Sequence, residues 1–424
     1  MIFSPFYYII YIESEMNKVD VKIFAKTIED EAVNQIMAMA RVPIGEGQKI
    51  RIMPDAHAGK GCTVGTTMTI GDKVCPNLVG VDIGCGVLGF QLNQRIGEEE
   101  RRALLTWLEN GGVPSGRNVW MVEDLQNESK VISKWWKMGA YYIHHLHCYE
   151  KLEGLDYLWC SLGTLGSGNH FISIERDSKG YDWILIHSGS RNLGKQVAEY
   201  YQNLATQSLK AQDIADRQAI IDMWKDTDPT RISAALAQFQ RRAATGLEYL
   251  IGEDMQNYLD DMDDCTTWAH YNRYVIGMAI LQFLGRDETD VYGTVESVHN
   301  YIEKHDGQYI LRKGAISAYD GEDVLIPLNM RDGTLLGVGQ GDLDWNQSAP
   351  HGAGRLMSRH AARERLDLGE FQRTMAGIDS NPCEATIDEA PDAYKNWEEI
   401  ATLIQPTVDI VDHLYPVMNF KAIT

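Results

Sequence analysis

The sequence predicts a mixed α+β protein, one domain with central β-sheets and a helical insert. Three observations carry that expectation. Short β-rich segments lie next to glycine-flanked polar turns: Ile50-Arg51-Ile52-Met53-Pro54, Thr63 to Ile70, Phe171 to Glu175 and Trp183-Ile184-Leu185-Ile186. A helical pattern then runs from about 195 to 285, broken chiefly at Asp226-Thr227-Asp228-Pro229. Nowhere does a Pro-, Gly- or Ser-rich linker or an internal repeat divide the chain. The helices therefore read as an insert packed on one fold.

Ala25 to Ala40 has helical spacing, with Ala25, Ile28, Ala32, Ile36 and Met39 on one side. Further helices are expected around Glu98 to Asn110, near 133–151, and over Gln196 to Leu204, Ala211 to Met223, Ser233 to Asp254 and Thr266 to Leu284. A last one is expected near Trp397 to Leu403. His144, His145 and His147 cluster in the second stretch, but only two of three can share a helical face, so they read as helix surface. Gly337-Val338-Gly339-Gln340-Gly341 does not open a helix after a strand, which excludes a dinucleotide fold for it. Ile2 to Ile12 is apolar but too short to span a bilayer and has no basic flank, and no other stretch resembles a membrane span. Residues 1–15 read as an extension upstream of a start at Met16, with the domain covering 16–424.

The formal charge is −21, from 39 basic against 60 acidic residues, so the surface as a whole repels polyanions. Contact with nucleic acid then needs a local basic patch or bound cations. The seven cysteines form no CxxC pair, which fits a reducing, cytoplasmic setting.

Chemistry concentrates in the polar turns. Asp55-Ala56-His57-Ala58-Gly59 closes one strand, and Asp82 and Cys85 sit between glycines in Val81-Asp82-Ile83-Gly84-Cys85-Gly86. Cys85 taken alone reads as a buried free cysteine. Three glycines lead into Asn169-His170, and a second strand delivers His187-Ser188-Gly189-Ser190-Arg191. Two strand-end histidines in such turns suit imidazole ligation of a transition metal, and Arg191 suits an anion beside it. His299-Asn300 adds a third histidine. In His351-Gly352-Ala353-Gly354-Arg355 almost no bulk stands beside the imidazole, so that backbone can approach a phosphate or a base closely. If the segment continues as a helix, Arg355 and Arg359 fall one turn apart and present two forked phosphate donors.

These motifs together resemble the RtcB family of RNA ligases. The shared elements are, in order, Met53-Pro54-Asp55-x-His57, Gly80-Val81-Asp82-Ile83-Gly84-Cys85-Gly86, Gly163-Thr164-Leu165-Gly166-x-Gly168-Asn169-His170-Phe171, His187-Ser188-Gly189-Ser190-Arg191, His299-Asn300, Arg312-Lys313-Gly314-Ala315 and His351-Gly352-Ala353-Gly354-Arg355. The resemblance implies central sheets around a di-metal site. It also implies a Mn²⁺- and GTP-dependent ligase that joins an RNA 3′-phosphate or 2′,3′-cyclic phosphate to a 5′-hydroxyl. By the same resemblance, the guanylylated histidine is His351 and the ligands of two Mn²⁺ ions are Asp82, Cys85, His170, His187 and His299, with Cys85 shared. The nucleotide pocket maps onto Asn169, His170, Phe171, Ile172, Ser173, His299, Asn300, Pro327, Leu328, Asn329, Met330, Thr334, His351, Gly352, Ala353, Gly354 and Lys421, with Tyr394 stacking on guanine.

Arg191, Lys313, Arg355 and Arg359 would meet RNA phosphates, with affinity falling as salt rises. Expected partners are RNA ends and an archease-like activator, with no membrane. The chain departs from the family pattern at Ser173, where many members carry Glu, at Leu328-Asn329 for Gly-Ser, at Thr334 for Ser, and around Lys421. Glu175 lies on the same strand face as Ser173. The competing readings are a phosphoesterase or nucleotidyl hydrolase using the same metals, and a nucleic-acid-binding protein without catalysis.

Overall fold

Two eight-stranded sheets meet at one residue, His299, which separates the last strand residue of one from the first of the other. The computed structural model describes residues 2–4, 7–9, 12–13, 18–59, 61–239 and 244–422. The expected start at Met16 lies outside them, as does Lys60.

The first sheet runs in the order Ile2–Ser4, Tyr7–Ile9, Lys18–Ile23, Lys49–His57, Val64–Ile70, Gln308–Lys313, Asn300–His305, with Ile12–Glu13 also paired to Lys18–Ile23. Its one parallel pair joins Lys18–Ile23 to Lys49–His57. The second sheet runs Val291–Val298, Gly86–Leu92, Asp182–Ser188, Phe171–Arg176, Val408–Lys421, Gly333–Gly339, Asp323–Asn329 along an antiparallel path, with Asp379–Ser380 paired in parallel to Val408–Lys421. Its two outer strands approach each other, and the Leu325 N–H donates to Ser297 Oγ at 2.9 Å. The sheet therefore curls and has a concave and a convex face.

Alternation along Phe171–Arg176 divides these faces. Ile172 and Ile174 turn to the convex side, where Ile184, Ile186, Ile276 and Ile280 form a core with the helix Gly252–Phe283. Phe171 turns inward with Val87, Leu185, Leu325 and Leu414. Both faces are covered, so strands such as Asp182–Ser188 are buried throughout and read as near-continuous apolar runs.

The insert differs in detail from the sequence expectation. Gln196 to Leu204 and Ala211 to Met223 belong to one helix, Arg191–Trp224. The turn at Asp226 to Pro229 is present, and a helix follows at Thr230–Gln238. The helix expected to continue to Asp254 ends there. Gly246 takes a left-handed φ of +82°, its N–H is held by Glu248 Oε1 at 3.1 Å, and Leu250 bridges to Val74. Among the described residues the next helix starts at Gly252. The segment after His351 is likewise not helical until Arg359–Arg365, capped by Ser358. Gly354 at φ +74° breaks it, so Arg355 and Arg359 do not share a helical face. His144 and His145 end the helix Ile132–His145, with their Nδ1 atoms against the backbone carbonyls of Ala140 and Tyr141. Among the described residues no helix is long and apolar enough to cross a membrane.

Candidate active site

Strand pairing explains why residues so far apart in sequence meet. Gly86 pairs with Val298 on one side and with Ser188 on the other, and Phe171 pairs with His187. Cys85, His170, His187 and His299 therefore emerge from four neighbouring strands at the same end of the curled sheet. The His299 N–H donates to the Cys85 carbonyl at 2.8 Å.

Their side chains converge. Cys85 Sγ lies 3.5 Å from His170 Nε2 and 3.3 Å from His187 Nε2. His187 Nε2 lies 3.4 Å from His299 Nε2, and His170 Nε2 lies 3.1 Å from Asp82 Oδ2. The ligand atoms of Cys85, His170 and His187 all fall within 4.8 Å of one another, and all three residues are buried. Gly189 makes room for Asp82, since a Cβ there would stand 2.1 Å from Asp82 Oδ1.

The electrostatics of the group follow from burial. His187 and His299 are pushed well below the usual imidazole range, first by desolvation and then by neighbouring histidines. Both thus keep their lone pairs. Burial, and after it Asp82, pushes the Cys85 thiol well above its usual range. Burial would also raise Asp82, but the His170 hydrogen bond and charge overcome it and hold the carboxyl at about 2. His170 Nδ1 meets the Leu165 carbonyl at 2.8 Å, which leaves Nε2 for a ligand. Neutral imidazoles facing one another, a thiol and a carboxylate form a donor set that fits a transition-metal cation. A cation would also supply the charge that releases the thiol proton.

His351 adjoins this group, its ring centroid 4.8 Å from that of His299. Its Nδ1 lies 2.7 Å from Asp55 Oδ2, and Asp55 is fully buried. The approach needs glycine: a Cβ on Gly354 would stand 2.1 Å from the Asp55 carbonyl oxygen. An Asp55 carboxylate accepts from a proton on Nδ1, and in that tautomer the Nε2 lone pair is free. The sequence pointed to the Asp55 turn and to His351 separately, but the contact between them became visible only in the fold.

A cavity of about 350 Å³ opens beside both features. Of the expected pocket residues, Asn169, Phe171, His299, Asn300, Pro327, Leu328, Asn329, Met330, Thr334, His351, Gly352, Ala353, Gly354, Tyr394 and Lys421 line it. His170 stands in the metal-capable group, the Ile172 side chain packs in the convex core, and the buried Ser173 hydroxyl donates to Glu175 Oε1 at 2.8 Å.

The four expected phosphate-binding residues separate into two kinds. Lys313 lines the cavity, with Nζ 3.1 Å from the Asn77 carbonyl. Arg191, a non-glycine residue at φ +59°, donates to Gly116 O at 2.9 Å and Thr164 Oγ1 at 3.2 Å. Arg355 and Arg359 line the cavity but are ion-paired with Glu389 at 3.2 and 2.6 Å. Glu389 also accepts from Tyr394 OH and Lys421 Nζ, each at 2.8 Å. Burial would raise this carboxyl, but Lys421 and the two arginines hold it at about 2. Glu389 carried no signal in the sequence, because its role depends on four partners brought together by the fold.

Two further residues escaped sequence reasoning. Asn272 and Arg273, adjacent on the helix Gly252–Phe283, tie the ligand-bearing turns together. Asn272 bonds Thr164, Ser188 and Gly189, and Arg273 donates to the carbonyls of Gly84 and Ser188.

Fold and site together define an α+β protein whose cavity joins a metal-capable thiol–imidazole group to a carboxylate-supported histidine. The family model described as tRNA-splicing ligase RtcB matches residues 35–422, and the chain belongs to the RtcB family of RNA ligases. It is 29% identical to the RNA-splicing ligase RtcB of Escherichia coli K12, over 95% of this chain and 97% of that protein. It is 27% identical to the tRNA-splicing ligase RtcB of Nanoarchaeum equitans, over 92% and 91% of the two chains. A tRNA-splicing ligase RtcB of Aeropyrum pernix is also 27% identical, over 82% of each.

Proposed function

We propose that this ligase joins RNA 3′-phosphate or 2′,3′-cyclic phosphate ends to 5′-hydroxyl ends through a guanylylated His351. The observation that carries the reading is the Asp55–His351 contact of 2.7 Å beside the metal-capable group. With its proton held on Nδ1, His351 attacks the α-phosphorus of GTP through Nε2. An N–P bond forms, the bond to pyrophosphate breaks, and Asp55 stabilises the positive charge that develops on the ring. An oxygen of the RNA 3′-phosphate then attacks the same phosphorus and breaks the N–P bond. The 5′-hydroxyl of the second RNA end displaces GMP from the activated 3′-end. A cyclic end is first hydrolysed to the 3′-phosphate.

Asp82, Cys85, His170, His187 and His299 would hold two Mn²⁺ ions, which would supply Lewis-acid stabilisation of phosphate charge when bound. The cavity residues from Asn169 to Lys421 take the nucleotide, with Tyr394 against the base. Arg191, Lys313, Arg355 and Arg359 would meet the RNA phosphates, and Arg355 and Arg359 also hold Glu389. The work would take place in the cytoplasm, with RNA ends as substrate and an archease-like protein as activator.

The test is covalent labelling. Incubation with Mn²⁺ and each of the four α-labelled nucleoside triphosphates should give an acid-labile label, strongest with GTP and missing in His351→Ala. A label that persists in the variant removes His351 as nucleophile. Leu328-Asn329 in the cavity lining and the buried Ser173 depart from the family pattern, and these departures favour the second reading, a phosphoesterase or nucleotidyl hydrolase. That reading predicts turnover of RNA ends without any adduct.

A further inference from the structure

Lys395 is buried and does not line the cavity, yet its ammonium lies against the strand end that carries Asp55. Nζ donates to the carbonyls on either side of Asp55, Pro54 at 3.0 Å and Ala56 at 2.9 Å, and to that of Thr27 at 3.1 Å. Three carbonyl acceptors take three N–H donors, the full set of a charged lysine. The Lys395 backbone N–H donates in turn to the Gly354 carbonyl at 2.9 Å, in the turn that follows His351. One residue therefore ties both arms of the Asp55–His351 contact.

Strand pairing shows what the ammonium replaces. The parallel pair of Lys18–Ile23 with Lys49–His57 ends at Ile23 and Ile52, where the Phe24 N–H reaches the Ile52 carbonyl at 2.8 Å. Carbonyls two residues apart point to the same strand edge, so those of Pro54 and Ala56 continue the edge of Ile52 after its neighbour has left. On the other edge, pairing with Val64–Ile70 is interrupted between Ile52 and His57. Among the described residues, 53–56 thus carry no ladder pair, and Lys395 Nζ supplies the donors that a neighbouring strand would have given. Burial pushes the ammonium below the usual lysine range, and the charge of Asp55, then those of Glu399 and Glu29, offset part of that fall. The attraction is mutual, so Lys395 also compensates a fully buried carboxylate.

We propose that Lys395 is a positioning residue for the nucleophile: it pins the strand end at Asp55 and places a cation beside that carboxylate, so that Asp55 stays in reach of His351 Nδ1. The proposal rests on the assignment of His351 as nucleophile in the nucleotide-transfer reading above. Without the ammonium, the carbonyls of Pro54 and Ala56 lose their donor and the strand end is free to shift. A displacement of about 1 Å at a held reacting group costs about 100-fold in rate. A shifted carboxylate no longer accepts from Nδ1, and the ring loses the partner that fixes its tautomer.

The experiment introduces Lys395→Met into the wild-type chain and into Asp55→Ala. Met removes the ammonium, while the backbone bond to Gly354 remains. In the wild-type background, single-turnover labelling with Mn²⁺ and saturating α-labelled GTP should slow by about 10- to 100-fold. The GTP dissociation constant should stay within about twofold, because Lys395 does not line the cavity. In Asp55→Ala the same replacement should change the labelling rate by less than about twofold, since the group it acts through is gone. A loss of equal size in both backgrounds, a wild-type rate in Lys395→Met, or a loss explained by weaker GTP binding overturns the proposal. If Lys395→Met does not melt with the wild type, Lys395→Gln, which keeps N–H donors without the charge, enters the same cycle with the same expectation. Acylation of His351 by diethyl pyrocarbonate, read by mass spectrometry against the exposed His360, reports the nucleophilicity of the ring without nucleotide or metal. It should slow relative to His360 when Lys395 is replaced. If the wild type forms no adduct with any nucleotide, the ligase reading falls, and this ratio still decides the role of Lys395: an unchanged ratio overturns it.

Discussion

Replacing Asp55 by Asn removes one charge from the floor of the site and keeps its shape. Asp55 is fully buried, and its Oδ2 is the partner of His351 Nδ1 at 2.7 Å. A hydrogen bond to a charged group contributes about 1.5–3 kcal/mol, and that contribution grows as the ring becomes cationic during attack. Loss of the charge alone should slow adduct formation by about 10- to 150-fold. An amide can also turn its NH₂ toward Nδ1, which moves the ring proton to Nε2 and blocks attack; wrong-tautomer variants of catalytic triads lose about 10⁴-fold. The expected loss in the single-turnover rate of acid-labile labelling by GTP therefore lies between those figures. Nucleotide affinity should change little, because the carboxylate supports the nucleophile and does not hold the base. A wild-type labelling rate in a folded Asp55→Asn protein would refute the tautomer argument.

Two other outcomes follow from the same geometry. Asn272→Ala strips four hydrogen bonds from the turns that carry His170 and His187; it should cost about 2–4 kcal/mol in thermal or denaturant unfolding and loosen divalent-metal affinity by about 10- to 100-fold, read by the thiolate-to-Co²⁺ absorption band. Glu296 is ion-paired with Arg273 at 2.7 Å, and although burial would raise its carboxyl, Arg273 and His270 hold it at about 2. Its folded pKa lies below the unfolded value near 4.3, so its stabilisation is complete above that pH and fades as pH falls toward 2. The term is about 3 kcal/mol, and Glu296→Gln should flatten the stability profile between those limits; an unchanged profile would exclude the Arg273 pair as its source.

Much of the site was legible in the chain because glycine-flanked polar turns at strand ends announce where chemistry sits. His351 and the histidines at 170, 187 and 299 each stood in such a turn, and the order of the motifs pointed to the family. The helical insert was legible as helix but not in its breaks. Gly246 looked like an interior residue until Glu248 captured its N–H and Leu250 found Val74. The helical spacing of Arg355 and Arg359 was equally plausible from sequence, and it gave way because Gly354 had to leave helical space to lie against Asp55.

By itself the sequence determined the α+β class, the single-domain plan, the family and the residue types of the centre, since local patterning and side-chain chemistry are properties of short stretches. Only the tertiary structure decided which partners those residues take. Asp55 meets His351, Glu389 gathers Arg355, Arg359, Tyr394 and Lys421, and Glu175 shares a cavity with Thr334 and Asn419. Each of these pairings joins distant segments through strand register and sheet curvature. Buried charge is settled by its neighbours in space, and no stretch of sequence carries that information.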